Sequence, residues 1–336
     1  MPLNSTSAAT TIGQDKKLLS RLRASLGRGP LAKLVDLYRI ASPRYRYPLQ
    51  GDISEAPFFI VGSGRSGTTL LRRILQASPE VHIPPELPVL ARQFEIFQKI
   101  QHLDWRDVVH LVIAQFELNI GTLSDASSVR PLIQKLVAKE SNERNLATLI
   151  DSYYRHHAEQ VKPSFRVWGD KTPWNVFALD SLRSTFPRAK FVHVLRDGVD
   201  VVASMMKCGR SLEYAADRWT NAVRAADSFA KAHPEACYLL RYEDLVTDPG
   251  KAARQVCEFL AIEYSTAMIT ETDHVAEMGD VPLLGHHDQT QKPINDASIG
   301  KGRASFTRQQ QQILGTLIEP TLRTHGYESI RTPTAA

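Results

Sequence analysis

Residues 57–75 read PFFIVGSGRSGTTLLRRIL, an apolar run, then glycines, then a helical pattern. PFFIV is short, aromatic and β-branched, the composition of a buried strand. Beyond the glycines, Leu70, Leu71, Ile74 and Leu75 recur on one face of a 3.6-residue period, which predicts a helix. Gly62 and Gly67 bracket the stretch with GxxxxG spacing. In a strand–loop–helix setting, such glycines let successive backbone N–H groups turn toward one phosphate, and the helix N-terminus adds partial positive charge. Thr68 and Thr69 can donate hydroxyl hydrogen bonds to the same oxygens. A nucleoside triphosphatase would carry Lys where Thr68 stands; here the loop's cation is Arg65. The loop therefore reads as phosphate-binding without triphosphate hydrolysis.

The same strand-then-helix unit recurs along the chain. Residues 190–195 form an apolar run between Pro187 and Asp197, with a helix predicted through 201–206. A strand is expected at 237–242 and a helix at 251–260 behind Asp248 and Pro249, while Val167 and Trp168 close another short strand. These units imply an α/β fold, a P-loop-like, mainly parallel sheet flanked by helices. Strand signals vanish across residues 88–163, where helical patterns at 108–118, 129–139 and 146–160 read as an insertion covering the sheet's carboxyl edge. A loop rich in Gly, His, Asp and Pro follows Thr270, so residues 280–303 read as a lid before a last helix at 307–324. The division expected is an N-terminal tail and basic, Leu-rich helix (1–50), one domain (51–330) and a short tail (331–336).

Composition narrows the function classes. The 336 residues hold 41 Lys and Arg against 36 Asp and Glu, a net charge of only +5. That balance suits an anionic ligand but supplies no concentrated basic face for nucleic acid. Cys208, Cys237 and Cys257 are few, widely spaced and without a CxxC pair, which reads as buried hydrophobes in a reducing compartment. No apolar run approaches the roughly 18 residues of a membrane span, and no signal-peptide core is visible; a cytoplasmic location is expected, with no integral membrane segment. His286, His287 and Asp288 lack a third ligand at a defined spacing, so no metal site is expected. A homodimer is allowed, not required.

Two segments carry a resemblance. Residues 65–69, RSGTT, behind FFIVG, resemble the 5′-phosphosulfate loop of the sulfotransferases that use PAPS (3′-phosphoadenosine 5′-phosphosulfate). The likeness is to the branch that includes tyrosylprotein sulfotransferases and many bacterial members. Residues 192–204, VHVLRDGVDVVAS, resemble that family's 3′-phosphate segment, with Arg196 and Ser204 at the gripping positions. The resemblance implies that Gly64, Arg65, Ser66, Gly67, Thr68 and Thr69 hold the 5′-phosphate. It makes Glu86, in the 83–88 stretch IPPELP, the catalytic base, with His82 as its rival. Lys171, in GDKTP at 169–173, becomes the cation on the sulfuryl or bridging oxygen. In the 298–303 stretch SIGKGR, Ser298 touches the sulfonate side, and Lys301 or Arg303 caps the 3′-phosphate; Gly302 stands where the common pattern has Trp. Tyr242 in RYEDL is expected to be structural or next to the adenosine, and His156 and His157 to lie on an exposed helix surface.

The reaction so implied moves a sulfuryl group from PAPS to a hydroxyl of a small metabolite, lipid or glycan, with PAP as product and no metal required. A small-molecule kinase on the same loop, a protein-tyrosine acceptor and a nucleotide binder without turnover are the alternatives.

Overall fold

The computed structural model describes residues 47–119, 129–271 and 292–330. The basic helix expected within 1–50, residues 280–291 of the expected lid with its His pair, and the 331–336 tail lie outside the described residues. Five strands, β1 (Phe58–Gly62), β2 (Val81–His82), β3 (Val167–Lys171), β4 (Lys190–Leu195) and β5 (Cys237–Arg241), pair in the order β2-β3-β1-β4-β5. Every pairing is parallel. From β1 the chain steps outward to β2, returns to β3, and then crosses β1 to reach β4. The carboxyl ends of β1 and β4, where Gly62 pairs with Val194, therefore form a switch point, the place where open α/β sheets bind ligands.

Alternation along β1 divides the interior in two. Phe58 and Ile60 face a core shared with α1 (Thr68–Gln76), whose Leu71, Ile74 and Leu75 are fully buried there. Phe59 and Val61 face the other core, shared with α2 (Leu90–Ile100), α3 (Trp105–Asn119), α4 (Arg130–Val137), α5 (Leu146–Val161) and α6 (Leu179–Thr185). The helical insertion thus packs on a face of the sheet, not simply across its carboxyl edge. Its aromatic residues explain why: Phe116 stacks on Tyr153 at 4.3 Å and Tyr154 on Trp168 at 4.1 Å, contacts that need the sheet's broad apolar side.

A third cluster joins α7 (Gly198–Lys207), α8 (Leu212–Ala232) and the later α12 (Arg308–Thr324). Between them in the chain lie α9 (Tyr242–Thr247), α10 (Pro249–Leu260) and α11 (Ala267–Thr270). Val167 opens β3, where the sequence reading made it a strand's close, and Tyr242 begins α9 instead of ending β5. Cys257 is buried and Cys237 partly so, but Cys208, at the C-cap of α7, is exposed, against the expectation of three buried thiols.

Candidate functional site

The turn after β1 is built around residues that adopt left-handed backbone. Arg65 has φ 69° and Gly67 φ 98°. Gly67 also admits no side chain, since a Cβ there would lie 2.4 Å from the Tyr242 ring. As N-cap of α1, Gly67 supplies no side-chain bond, so the helix begins with Thr68 and Thr69 around uncapped N–H groups. The Ser66 hydroxyl turns back to donate to the Ser63 carbonyl at 2.8 Å and stiffens the loop; only its backbone remains for a ligand. Gly64 has ordinary contacts, its Cβ position 3.5 Å from Met205 Cε.

The turn after β4 comes to meet that loop. Arg65 Nε donates to Ser204 Oγ on α7 at 3.1 Å. Arg196 donates through Nη1 to the Arg65 carbonyl (3.3 Å) and through Nη2 to the Ser298 carbonyl (2.8 Å). Its guanidinium carbon sits 4.3 Å from the Tyr242 ring centre, while its Nε is buried without a hydrogen-bond partner among the described residues. Tyr242 is thereby wedged between Gly67 and Arg196.

The 298–303 segment is moored on α7. Asp200 accepts from the N–H groups of Gly300 (2.8 Å) and Gly302 (2.6 Å). This explains the glycine where the common pattern has Trp: a Cβ at residue 302 would fall 2.6 Å from the Val199 carbonyl oxygen. Arg303 is occupied by Asp197 at 2.8 Å and by the carbonyls of Glu328 and Ser329. The exposed Lys301 ammonium meets none of the described residues, so of the two cations Lys301 is the one at liberty to reach a ligand.

At the carboxyl end of β3, Lys171 is completely buried. Its ammonium donates to Thr69 Oγ1 at 3.3 Å and forms an ion pair with Glu86. The Glu86 segment is clamped at both ends. Ile83 N–H donates to Gln76 Oε1 (2.6 Å), Arg72 Nε donates to the Ile83 carbonyl (3.2 Å), and Leu87 N–H donates to Thr172 Oγ1 (3.2 Å). Thr172 in turn donates to Asp170 Oδ2 at 3.3 Å. Asp170 faces inward, accepting also from Tyr154 and Asn175, each at 2.7 Å, and burial raises its carboxyl pKa to about 6.

His82 does not reach the base position. Its Nε2 lies 2.9 Å from His157 Nδ1, and burial first, then neighbouring charges, lower His82 to about 2 and His157 to about 4. Both rings are neutral at physiological pH, one donating to the other. His157 accordingly turns inward, correcting the expected exposed surface; the i, i+4 geometry that buries Tyr153 and Tyr154 carries it toward β2.

Sequence reasoning missed the clamps of Arg72, Gln76 and Thr172 and the mooring by Asp200. A signal existed for the last, an acidic residue one turn after Arg196 in the first turn of a helix. Among the described residues no cluster of three or more His, Cys, Asp or Glu is placed to hold a metal, and no helix is long and apolar enough to cross a membrane.

The chain as a whole is similar to known proteins. Protein-tyrosine sulfotransferase 1 of Danio rerio is 24% identical over 331 residues, covering 95% of this chain and 82% of that protein. Nodulation protein NoeE of Sinorhizobium fredii is 25% identical, covering 82% of this chain and 68% of its own length. The sulfotransferase domain of the Synechococcus PCC 7002 olefin synthase superposes with a TM-score of 0.55 at 24% identity, over 84% of this chain and 99% of that one. Its likeness identifies the same fold. Finally, the sequence model of the Sulfotransferase family matches residues 57–266, from the start of β1 to beyond α10, and on that match the chain belongs to the Sulfotransferase family.

Proposed function

We propose that the protein transfers the sulfuryl group of PAPS to a hydroxyl of a small metabolite, lipid or glycan, with Glu86 as base. The observation that carries this reading is the contact of Lys171 with both Thr69 and Glu86, which puts the phosphate loop and a carboxylate base on either side of one ammonium. The residues present suit PAPS. The uncapped N-terminus of α1 suits one phosphate, and the orphaned Nε of Arg196, whose guanidinium also reaches the Arg65 and Ser298 carbonyls, suits a second. Two separate anion cradles match a nucleotide bearing both 3′- and 5′-phosphates.

PAPS, when bound, supplies the sulfuryl group, and PAP is the leaving nucleotide. The chain's own part is to position and to balance charge. Gly64, Arg65, Gly67, Thr68, Thr69 and the backbone of Ser66 hold the 5′ end; Arg196, Ser204 and Lys301 hold the 3′ end. Glu86 takes the proton from the acceptor hydroxyl as its oxygen attacks. Lys171 and Arg65 place positive charge where negative charge grows on the departing oxygen, and Ser298, whose carbonyl accepts from Arg196, would touch the sulfonate. The contact with Lys171 aims Glu86, so base and electrophilic cation are set by one contact.

Titration calorimetry tests the nucleotide half. PAP should bind without Mg²⁺ and tighter than 5′-AMP, and Arg196→Ala should erase that margin. Preference for ATP with Mg²⁺, indifferent to Arg196, would replace this reading with a kinase. Turnover tests the other half: Glu86→Gln should lower kcat by about 10²–10⁴ with PAP affinity unchanged.

A further inference from the structure

The 3₁₀ turn Pro173–Phe177 begins two residues beyond Lys171 and carries two large aromatic side chains in the open, Trp174 at 51% and Phe177 at 44% exposure. The other three tryptophans, Trp105, Trp168 and Trp219, are buried. The first turns of α8 face this turn. Arg218 on α8 lies with its guanidinium carbon 3.0 Å from the Trp174 ring centre and 4.6 Å from that of Phe177. One turn earlier, the half-exposed Tyr214 carries Arg210 over its ring at 5.7 Å.

Among the described residues the guanidinium groups of Arg210 and Arg218 form no ion pair or hydrogen bond, although Glu213 and Asp217 are exposed on the same helix. The stack also desolvates Arg218, which lowers its pKa, and an anion would offset that cost. The array's place in the fold is fixed at both ends. Trp219, next to Arg218, donates to the Arg196 carbonyl at 3.1 Å, and Trp174 follows the strand end that carries Lys171. It therefore borders the carboxyl edge of the sheet, joined to the Arg196 turn on one side and to the end of β3 on the other.

An arginine whose plane is held by aromatic rings, with its N–H edge open, is a carboxylate receptor of fixed orientation. Resting on the sulfuryl-transfer reading above, we propose that this array is the acceptor subsite and selects a small hydroxyl-bearing acceptor with a carboxylate beside a ring. The ring lies against the exposed surface of Trp174 and Phe177 that Arg218 does not cover, and the carboxylate is taken by the Arg218 N–H edge.

The test is titration calorimetry of the full chain saturated with PAP, comparing 4-hydroxyphenylacetate with its neutral primary amide. The wild type should bind the carboxylate about tenfold tighter or better. Arg218→Gln should bring the two affinities together with PAP binding retained, and Trp174→Leu should weaken both probes. If Arg218→Gln loses PAP binding, Arg218→Lys carries the test, because it keeps the charge and removes the fork; the margin should shrink there too. Equal affinities in the wild type, no binding of either probe, or a margin untouched at residue 218 would each overturn the subsite while PAP binding stands. Failure of the wild type to bind PAP would overturn the sulfuryl-transfer reading and this inference together.

Discussion

The turns after β1 and β4 are the same connection, strand into helix at the switch point, but they treat the helix N-terminus in opposite ways. After β1 no side chain caps α1, and left-handed Arg65 and Gly67 bend the backbone, so that in the proposed reading amides do the binding. After β4, Asp197 caps α7 by accepting from Val199 N–H at 2.8 Å, and Asp200 fills the first turn while holding the 298–303 segment. The helix dipole there is satisfied by the protein's own carboxylates, and in the proposed reading it is side chains, Arg196 and Ser204, that meet the ligand. One turn offers an anion its backbone; the other consumes its backbone and offers a guanidinium.

The largest effect should come from breaking the backbone site. Gly67→Ala places a Cβ against the Tyr242 ring and demands φ near +98°, a conformation costing an L-residue roughly 1–2 kcal/mol before any clash. PAP and 5′-AMP should both weaken by about 100-fold, because both use the loop. Equal loss for the two nucleotides is the informative part. If only PAP weakened, the loop would not be the 5′ site, and the contrast between the turns would be reversed.

The end of β3 extends the comparison, since its carboxylate caps no helix but points into the core, where Tyr154, Thr172 and Asn175 donate to it. Burial raises Asp170 from 3.8 to about 6. A carboxyl raised in the folded state contributes stability that is complete below its unfolded pKa and is lost as pH rises through the folded one. The native state binds more protons than the unfolded chain between about pH 4 and 6, so stability should fall across that window. The full shift corresponds to about 2–3 kcal/mol. Denaturant melts of the wild type and Asp170→Asn at a series of pH values would isolate it: the variant should lose this part of the slope. Asp151 and Asp197, also raised by burial, keep theirs and make the difference between the curves, not either curve, the quantity to read.

How much of this was legible in the sequence follows from what each part depends on. β1, β4 and the loop between Gly62 and Gly67 were readable because local chemistry, an apolar run followed by glycine, fixes their conformation. Arg196 and Ser204 were singled out only through a family likeness, as a grip on a 3′-phosphate; their contacts with Arg65 were not part of that reading. The 21-residue α8 went unread because its alternating Ala and charged residues show an apolar face only once β4 and α12 lie beside it. His157 and Thr172 were illegible for the same reason. Their partners, His82 and Leu87, are 75 and 85 residues away, and nothing in either neighbourhood announces the pairing.

The finest test of the two-turn contrast is Asp200→Asn. The aspartate's two oxygens accept from two different amides, Gly300 and Gly302, and the carboxylate lies 3.7 Å from Arg196 Nη2. An asparagine of nearly the same shape keeps one acceptor and turns an NH₂ toward the other amide. It also leaves Arg196 without its neighbouring charge. Losing one charge-assisted bond in a partly buried place costs about 1.5 kcal/mol, and the burden falls on the mooring of Ser298 and Lys301. PAP affinity should therefore drop about tenfold, while 5′-AMP, held by the uncapped α1, should hardly change. The variant changes no group that would touch the 5′-phosphate, so parallel weakening of both nucleotides would mean that the carboxylates of α7 support the whole crevice. In that event the two turns would be one site with two faces, instead of two sites built on opposite uses of a helix end.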